Sequence, residues 1–149
     1  LLKLPPASTV AFFPSDHYFA DDEAFMETVE TAFRAAEMNP HSVVLLGIEP
    51  EKAETSYGWI EPVESLFGTL SKSVCQVKRF WEKPSTETAG HLMSKGCLWN
   101  SFVMVGKVET FLKLFEKHLP DIYRLFVAAG VTFGASCEAA ATRSLYAWI

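Results

Sequence analysis

Four short polar clusters interrupt the apolar runs of this sequence, and each carries side chains that can do chemistry. They are Pro14-Ser15-Asp16-His17, Glu54-Thr55-Ser56-Tyr57-Gly58-Trp59, Glu82-Lys83-Pro84 and Trp99-Asn100-Ser101. A carboxylate such as Asp16 can bind a metal ion, and Glu82 and Lys83 place opposite charges side by side. Asn100 lies in an apolar run, where a buried amide without partners costs about 1–3 kcal/mol. One interpretation of Asp16 is therefore a metal ligand at the mouth of a nucleotide-binding sheet, and the other is a loop and a helix cap.

Each cluster also has an ordinary structural interpretation when it is taken alone. An aspartate after a strand, as at Asp16, is most often a turn or helix-cap residue. Glu82 and Lys83 fit a solvated strand end, and Gly58 fits a glycine at the entry of a strand. Asn100 fits a hydrogen-bonded network in the core. Single residues leave the structural and the functional interpretation open, so the order and spacing of the four clusters must decide between them.

Composition limits the class of protein. The chain has 149 residues, of which 49% are hydrophobic and 21% are charged, as in one globular domain. The formal net charge of −5 argues against a general nucleic-acid binder. No apolar run reaches the roughly 18 residues of a membrane helix. The three cysteines show no metal-binding spacing and predict reduced thiols in a cytoplasmic protein.

Strand and helix patterns alternate along the chain and must position the four clusters. Apolar runs predict strands at 10–13, 43–48, 58–63, 75–80 and 98–105. Helical spacing predicts helices at 22–38, 85–95, 108–119, onward to Gly130, and 135–147, with a turn at 65–73. This alternation predicts an α/β fold with a Rossmann-like, mixed and mostly parallel sheet flanked by helices. Three of the clusters fall at strand carboxyl ends, where open α/β sheets bind ligands, and the loop from Glu54 to Trp59 is the fourth.

The order of FPSDH, GIEPEKAETSYGWIE, VKRFWEKP and WNS resembles the sugar-1-phosphate nucleotidyltransferase family. That family typically reads PSDH, GI-P-x-x-PETGYGYI, F-x-EKP and WNSG, and the similarity is greatest to its mannose-1-phosphate guanylyltransferases. The resemblance runs from about residue 10 to residue 105. It implies transfer of a nucleotidyl group, GMP from GTP, to a sugar 1-phosphate, mannose 1-phosphate, with release of pyrophosphate. A sugar phosphate oxygen would attack the α-phosphorus in line, with Mg²⁺ neutralising the growing charge.

The resemblance implies a role for each matched residue. Asp16 would bind Mg²⁺ near the α-phosphate and, with Lys83, be catalytic. Gly58 would bring bare backbone close to the sugar. Glu82 and Asn100 would hydrogen-bond the sugar, and Lys83 would pair with the sugar phosphate.

Three further residues near these motifs have less central roles. Glu54 and Thr55 would line the same side of the substrate. His17 is expected to make a structural hydrogen bond, because attack by a phosphate dianion requires no base.

The sequence departs from the family pattern in three places. Ser56 stands where the family has the first glycine of TGYG, and Phe102 stands where it has the glycine of WNSG. The glycine-rich loop GGxGxRL of the family does not precede PSDH. We therefore expect residues 1–149 to form a single, incomplete nucleotidyltransferase domain, the sugar-phosphate-binding half, inactive by itself.

Two other functions stay open at this point. A non-catalytic nucleotidyltransferase-like module for regulation or assembly would also lack the glycine-rich loop, although it has no physical need to keep Asp16, Glu82, Lys83 and Asn100. A generic α/β binding domain would leave the order of the motifs unexplained. The expected partners are a sugar 1-phosphate and a nucleoside triphosphate, and exposed apolar faces of a partial domain favour a homo-oligomer.

Overall fold

The computed structural model describes residues 1–63 and 74–130, which contain five strands and four helices. In chain order they are β1 Thr9–Phe12, α1 Asp22–Met38, β2 Val44–Ile48, β3 Trp59–Pro62, β4 Val77–Trp81, α2 Thr86–Ser94, β5 Leu98–Lys107, α3 Val108–His118 and α4 Pro120–Gly130. Each corresponds to a predicted element within about two residues, as expected for boundaries read from periodicity. The turn predicted at 65–73 and the helix predicted at 135–147 lie outside the described residues.

The ten-residue strand β5 forms the centre of the sheet. Val105 pairs with Ala11 of β1 and also with Val44 of β2, so these two strands lie along opposite edges of β5. At the other end of β5, Trp99 pairs with Trp59 of β3, and β4 continues the sheet beyond β3. Every one of these pairings between described strands is antiparallel.

The prediction of a mostly parallel sheet is therefore wrong, although the α/β class is confirmed. Because β1 and β2 are each antiparallel to β5, they run in the same direction as one another, and α1 joins them as in a βαβ unit. However, β5 lies between them and pairs with both. Continuous apolar runs indicate burial of a strand but not the direction of its neighbour, so the sequence pattern could not reveal this insertion.

The amino terminus of helix α1 is stabilised by a capping side chain and by acidic residues in its first turn. The Asp21 carboxylate accepts a hydrogen bond from the Ala24 N–H at 3.0 Å, and the acidic residues Asp22 and Glu23 occupy the first turn. Both features stabilise a helix amino terminus. The apolar face of α1 packs on the centre of the sheet in a buried cluster formed by Val29, Ala32, Ala36, Leu46, Val103 and Val105. This core holds β1, β2 and the second half of β5 in register.

Helix α2 covers the other end of the sheet. Ser85 caps it by accepting the Thr88 N–H, and Gly96, with φ +71°, follows its carboxyl end. Ala89 and Leu92 of this helix are buried in a second cluster with Trp59 and Cys97. This packing fixes the position of the turn that joins β4 to α2.

Helices α3 and α4 pack together behind the carboxyl end of β5. Val108 and Phe111 of α3 are buried, and the Phe111 ring meets that of Phe12 edge-on, with 4.9 Å between centroids. The Thr110 hydroxyl donates to the Pro40 carbonyl at 2.6 Å.

Two general predictions can be checked against this part of the chain. No described helix has the length and apolar character that crossing a membrane requires. Cys75 and Cys97 are free thiols, exposed and buried respectively, and Cys137 lies outside the described residues.

Candidate functional site

The sheet register brings three of the predicted site residues into one row. Trp59 of β3 pairs with Trp81 of β4 on one side and with Trp99 of β5 on the other. One residue away along each strand, Gly58 therefore lies between Glu82 and Asn100. A hydrogen bond of 2.8 Å from the Asn100 N–H to the Gly58 carbonyl closes the row. Residues from three separate motifs thus meet at one point.

Because glycine has no side chain, Gly58 leaves an open space at the centre of this row. A Cβ atom at Gly58 would lie 3.2 Å from Glu82 Oε2 and 3.7 Å from Asn100 Cβ. Gly58 does not have a left-handed φ, so its backbone angles do not require glycine, and the lack of a side chain instead leaves space between its two neighbours. A carboxylate and an amide thus flank a gap that any larger residue would begin to fill.

Three tryptophans, Trp59, Trp81 and Trp99, support this row from behind. Side chains alternate between the two faces of a strand, so the tryptophans and the polar row project on opposite sides. Trp59 is fully buried against α2, with Trp81 and Trp99 packed against the same cluster. The Trp59 and Trp99 rings meet edge-on at 6.1 Å, a favourable geometry for aromatic pairs. A rigid aromatic layer therefore sets the separation of Glu82 and Asn100.

The Glu54 carboxylate organises the loop that leads into Gly58. Its Oε1 accepts hydrogen bonds from the Thr55 N–H at 2.9 Å, the Ser56 N–H at 3.0 Å and the Ser56 hydroxyl at 2.9 Å. Its Oε2 pairs with Lys52 at 3.1 Å. The Ser56 N–H, followed by the Lys52 ammonium and the Ser56 hydroxyl, lowers the pKa of Glu54 to about 2. Glu54 therefore holds its own loop, and the serine that replaces a family glycine contributes two of the donors.

This loop is also tied to the tryptophan layer. The Trp59 indole N–H donates to the Glu54 carbonyl at 2.8 Å. The Tyr57 ring contacts the Trp99 ring edge-on at 5.1 Å. The departure at Ser56 consequently requires no left-handed backbone: among the described residues other than glycine, only Lys83 and Phe102 have positive φ.

Those two residues flank the site. Lys83, with φ +41°, directly follows Glu82, and Phe102, with φ +58°, lies two residues after Asn100. A left-handed conformation costs a non-glycine residue about 1–2 kcal/mol, and such strain clusters at functional sites. The Phe102 angle also gives a physical reason for the glycine that the family has at this position.

A bulge in β5 surrounds Phe102 and is held by hydrogen bonds. Between the pairs Leu45–Met104 and Gly47–Asn100 the register of β5 slips. Asn100 Oδ1 accepts the Phe102 N–H at 3.0 Å, so the group left for a ligand is its Nδ2 donor. The buried Ser101 hydroxyl donates to the Leu46 carbonyl at 2.6 Å and accepts the Val103 N–H at 3.1 Å.

The other two predicted site residues, Lys83 and Asp16, are exposed and lie outside this row. Lys83 is exposed in the turn between β4 and α2. Asp16 is exposed in a turn after β1, and within the described residues no hydrogen bond or ion pair joins it to Gly58, Glu82 or Asn100. His17 lies beside it, with its ring 6.5 Å from that of Phe19.

The donor set around Asp16 suits one kind of metal binding. In residues 1–63 and 74–130, no group of three or more histidine, cysteine or acidic side chains is arranged to hold a metal ion. Mg²⁺ is commonly bound by one or two carboxylates together with substrate phosphates and water. A single exposed carboxylate at Asp16 fits that mode and does not fit an all-protein cage.

The sequence motifs did not reveal the residues that position the site. The tryptophan layer and the hydrogen bonds of Ser101 were not predicted, although one signal was available. Trp59, Trp81 and Trp99 each stand directly beside a motif residue, and a large aromatic residue next to a polar one in a strand is typical of a buried face.

Comparisons with known proteins show to which family this chain is similar. The nucleotidyl transferase family model matches residues 3–139. Mannose-1-phosphate guanylyltransferase 2 of Escherichia coli O157:H7 is 36% identical over 115 residues, which are 74% of this chain and 23% of that protein. The alginate biosynthesis protein AlgA of Pseudomonas fluorescens is 34% identical over 111 residues, which are 74% of this chain and 22% of that protein. This chain therefore spans under a quarter of the length of these curated relatives.

Two solved structures share the fold. One is described as mannose-1-phosphate geranyltransferase from Thermus thermophilus, with 34% identity and a TM-score of 0.73 over 90% of this chain and 37% of that one. The other is described as mannose-6-phosphate isomerase from Helicobacter pylori, with 30% identity and a TM-score of 0.68 over 83% of this chain and 44% of that one. With the family match over most of its length, the chain belongs to the nucleotidyl transferase family.

Proposed function

We propose that this chain forms the sugar-phosphate side of a nucleotidyl transfer, in which GMP passes from GTP to mannose 1-phosphate and pyrophosphate is released. The observation that carries the proposal is the row in which Gly58 lies between Glu82 and Asn100. The names of relatives that are mannose-1-phosphate guanylyltransferases support the choice of sugar and nucleotide.

The row has the chemistry that a sugar requires. A hexose presents hydroxyl groups that both donate and accept hydrogen bonds. The Glu82 carboxylate accepts from hydroxyls, while Asn100 Nδ2 donates to a hydroxyl oxygen. The bare backbone at Gly58 lets the ring approach between them. The packed tryptophans hold the backbone of the three strands in place, so the sheet does not need to rearrange when the sugar enters.

Lys83 and Asp16 complete the proposed site at the phosphate end. The Lys83 ammonium pairs with the phosphate of the sugar and orients its attacking oxygen. Asp16 holds Mg²⁺, which, when bound, neutralises charge on the phosphates during in-line displacement. The chain forms no covalent intermediate in this scheme: a new bond joins the sugar phosphate oxygen to the α-phosphorus as the bond to pyrophosphate breaks.

Calorimetric titration of the chain with mannose 1-phosphate, mannose 6-phosphate and mannose tests the proposal. We expect mannose 1-phosphate to bind most tightly. Glu82→Gln should weaken binding about tenfold or more, and Asn100→Ala about two- to tenfold, because they remove a charged and a neutral hydrogen bond. Glu116→Gln, an exposed change on α3, is the matched control. Equal affinity in wild type, Glu82→Gln and Asn100→Ala would place the sugar elsewhere.

Separate measurements test the two charged residues. Lys83→Ala should reduce affinity for mannose 1-phosphate but not for mannose, whereas Lys117→Ala should change neither. Mn²⁺, added with mannose 1-phosphate and GTP as a paramagnetic substitute for Mg²⁺, should broaden amide signals around Asp16. Asp16→Asn should abolish that broadening and Asp121→Asn should retain it. Broadening that persists in Asp16→Asn would remove the metal assignment.

A further inference from the structure

A polar cavity lies on the face of β4 opposite to the one from which Glu82 projects. It has a volume of about 380 Å³ and lies between β4 and α2. Its charged and polar lining includes Glu61 of β3, Lys78, Arg79 and Trp81 of β4, and His91 and Lys95 of α2. Trp81 and Glu82 are successive residues, so their side chains leave the strand on opposite faces. The cavity is therefore separate from the row at Gly58.

A bulge in β4 turns two cationic side chains toward this cavity. Glu61 pairs with Arg79 but Pro62 pairs with Val77, so Lys78 is an extra residue. In a regular strand, Lys78 and Arg79 would point to opposite faces. Here Lys78 Nζ reaches Glu61 Oε1 at 2.6 Å, on the side of Arg79. Bulges re-aim side chains in this way and are common beside binding sites.

The other charged and polar side chains of the cavity come from β4 and α2. The Arg79 guanidinium stacks over the Trp81 ring at 4.0 Å, which leaves its N–H edge available for bidentate hydrogen bonds. The Trp81 indole N–H donates to Glu61 Oε2 at 3.0 Å, so Lys78 and Trp81 together compensate this carboxylate. His91 and Lys95 are on one face of α2, four residues apart, and both are exposed.

The charge balance of the cavity differs from that of the chain. Three permanent cations, Lys78, Arg79 and Lys95, face Glu61, which is the one carboxylate lining the cavity in the described part of the chain. Among the described lining residues, positive charges thus outnumber negative ones by three to one, in a chain whose formal net charge is −5. Such a local excess attracts anions from solution.

We propose that this cavity is a second binding site, which takes a small phosphate-bearing anion between Arg79 and Lys95. Arg79 meets two phosphate oxygens with its fork of N–H groups, and Lys95 approaches as a point charge from α2. Trp81 supports the guanidinium from below. The proposal does not depend on the function proposed for the row at Gly58.

Amide NMR of the 149-residue chain, without divalent metal and at low salt, tests this site with inorganic phosphate and pyrophosphate as probes. We expect saturable shifts at the Trp81 indole N–H and at the amides of Arg79, His91 and Lys95. The double variant Arg79→Gln/Lys95→Gln should weaken binding about tenfold or more, since each exposed charge pair contributes up to about fivefold in affinity. Raising the ionic strength should weaken binding of both probes to the wild type.

Two control proteins make the outcome decisive. The double variant Lys113→Gln/Lys117→Gln also loses two positive charges, but from α3. It should bind both probes like the wild type. Asn100→Ala should also leave the cavity shifts unchanged, because Asn100 belongs to the other site. The proposal is overturned if neither probe shifts these signals, if the shifts survive in the Arg79/Lys95 variant, or if they appear only around Lys83 and Asn100.

Discussion

Replacement of Gly58 by alanine is expected to impair sugar-phosphate binding while leaving the fold intact. The added Cβ would lie 3.2 Å from Glu82 Oε2 and 3.7 Å from Asn100 Cβ. The closer neighbour is the end of a flexible side chain, which can move by a few tenths of an ångström. The methyl group thus fits the protein but occupies the gap proposed for the sugar.

The two effects differ in size. Since Gly58 does not have a left-handed φ, alanine can adopt its backbone conformation, and lower chain entropy in the unfolded state gains about 0.4–1 kcal/mol. The tighter contact with Glu82 offsets part of that gain, so the free energy of unfolding should stay within about 1 kcal/mol of wild type. One additional methyl group in a fitted pocket costs about 1–3 kcal/mol of binding, or about 10- to 200-fold in affinity.

Two measurements on each protein separate stability from binding. Urea unfolding gives the free energy of unfolding, and calorimetric titration gives the affinity for mannose 1-phosphate. Gly90→Ala is the matched control, because Gly90 is exposed within α2 and a Cβ there has nothing within 4 Å. This control should gain about 0.8–1 kcal/mol of stability from helix propensity and bind the sugar like the wild type.

An unchanged affinity in a folded Gly58→Ala protein would refute the reasoning, because the gap between Glu82 and Asn100 would then not be where the sugar binds. A loss of several kcal/mol in stability would refute it in another way. It would mean that Gly58 is required by the fold and not by a ligand.

Three other perturbations follow from single contacts. The Phe102→Gly protein should be about 1 kcal/mol more stable in urea unfolding than the Phe102→Ala protein, because φ at this position is +58°. Alanine is usually the more stable of the two, so equal stability would argue against backbone strain at Phe102. Ser101→Ala should lower the free energy of unfolding by about 1–3 kcal/mol, since it strands the buried Leu46 carbonyl and Val103 N–H. The pKa of Glu54 is depressed from 4.5 to about 2, so its stabilising contribution is complete above pH 4.5 and is lost as pH falls toward 2. The stability advantage of wild type over Glu54→Gln should therefore be largest near neutral pH and should narrow between pH 4.5 and pH 2; an advantage independent of pH would contradict this assignment.

Local features of the fold could be predicted from the sequence because short-range chemistry controls them. Asp21 and Ser85 stand at the starts of predicted helices and have side chains typical of helix caps, and each accepts a backbone N–H of its helix. Gly96 directly follows the helix predicted at 85–95, and its left-handed φ is typical of the glycine that ends a helix. These interactions join residues a few positions apart, so the order of residues is sufficient to specify them.

The direction and order of the strands could not be predicted in the same way. An apolar run reports that a strand is buried, and β1 and β2 gave runs of this kind. Their common neighbour β5 comes from much later in the chain. Its antiparallel insertion depends on long-range pairings that leave no periodic signal in either strand.

The sequence by itself determined which candidate site residues the chain carries: Asp16, Gly58, Glu82, Lys83 and Asn100 stand in family motifs that can be identified in order. Only the tertiary structure decided which of them lie side by side. Gly58, Glu82 and Asn100 meet because the paired tryptophans next to them set the register of three strands, and register is a property of the sheet and not of any one strand. The same register, broken by one bulge at Lys78, assembled the cationic cavity on the opposite face, where the sequence shows only scattered charges.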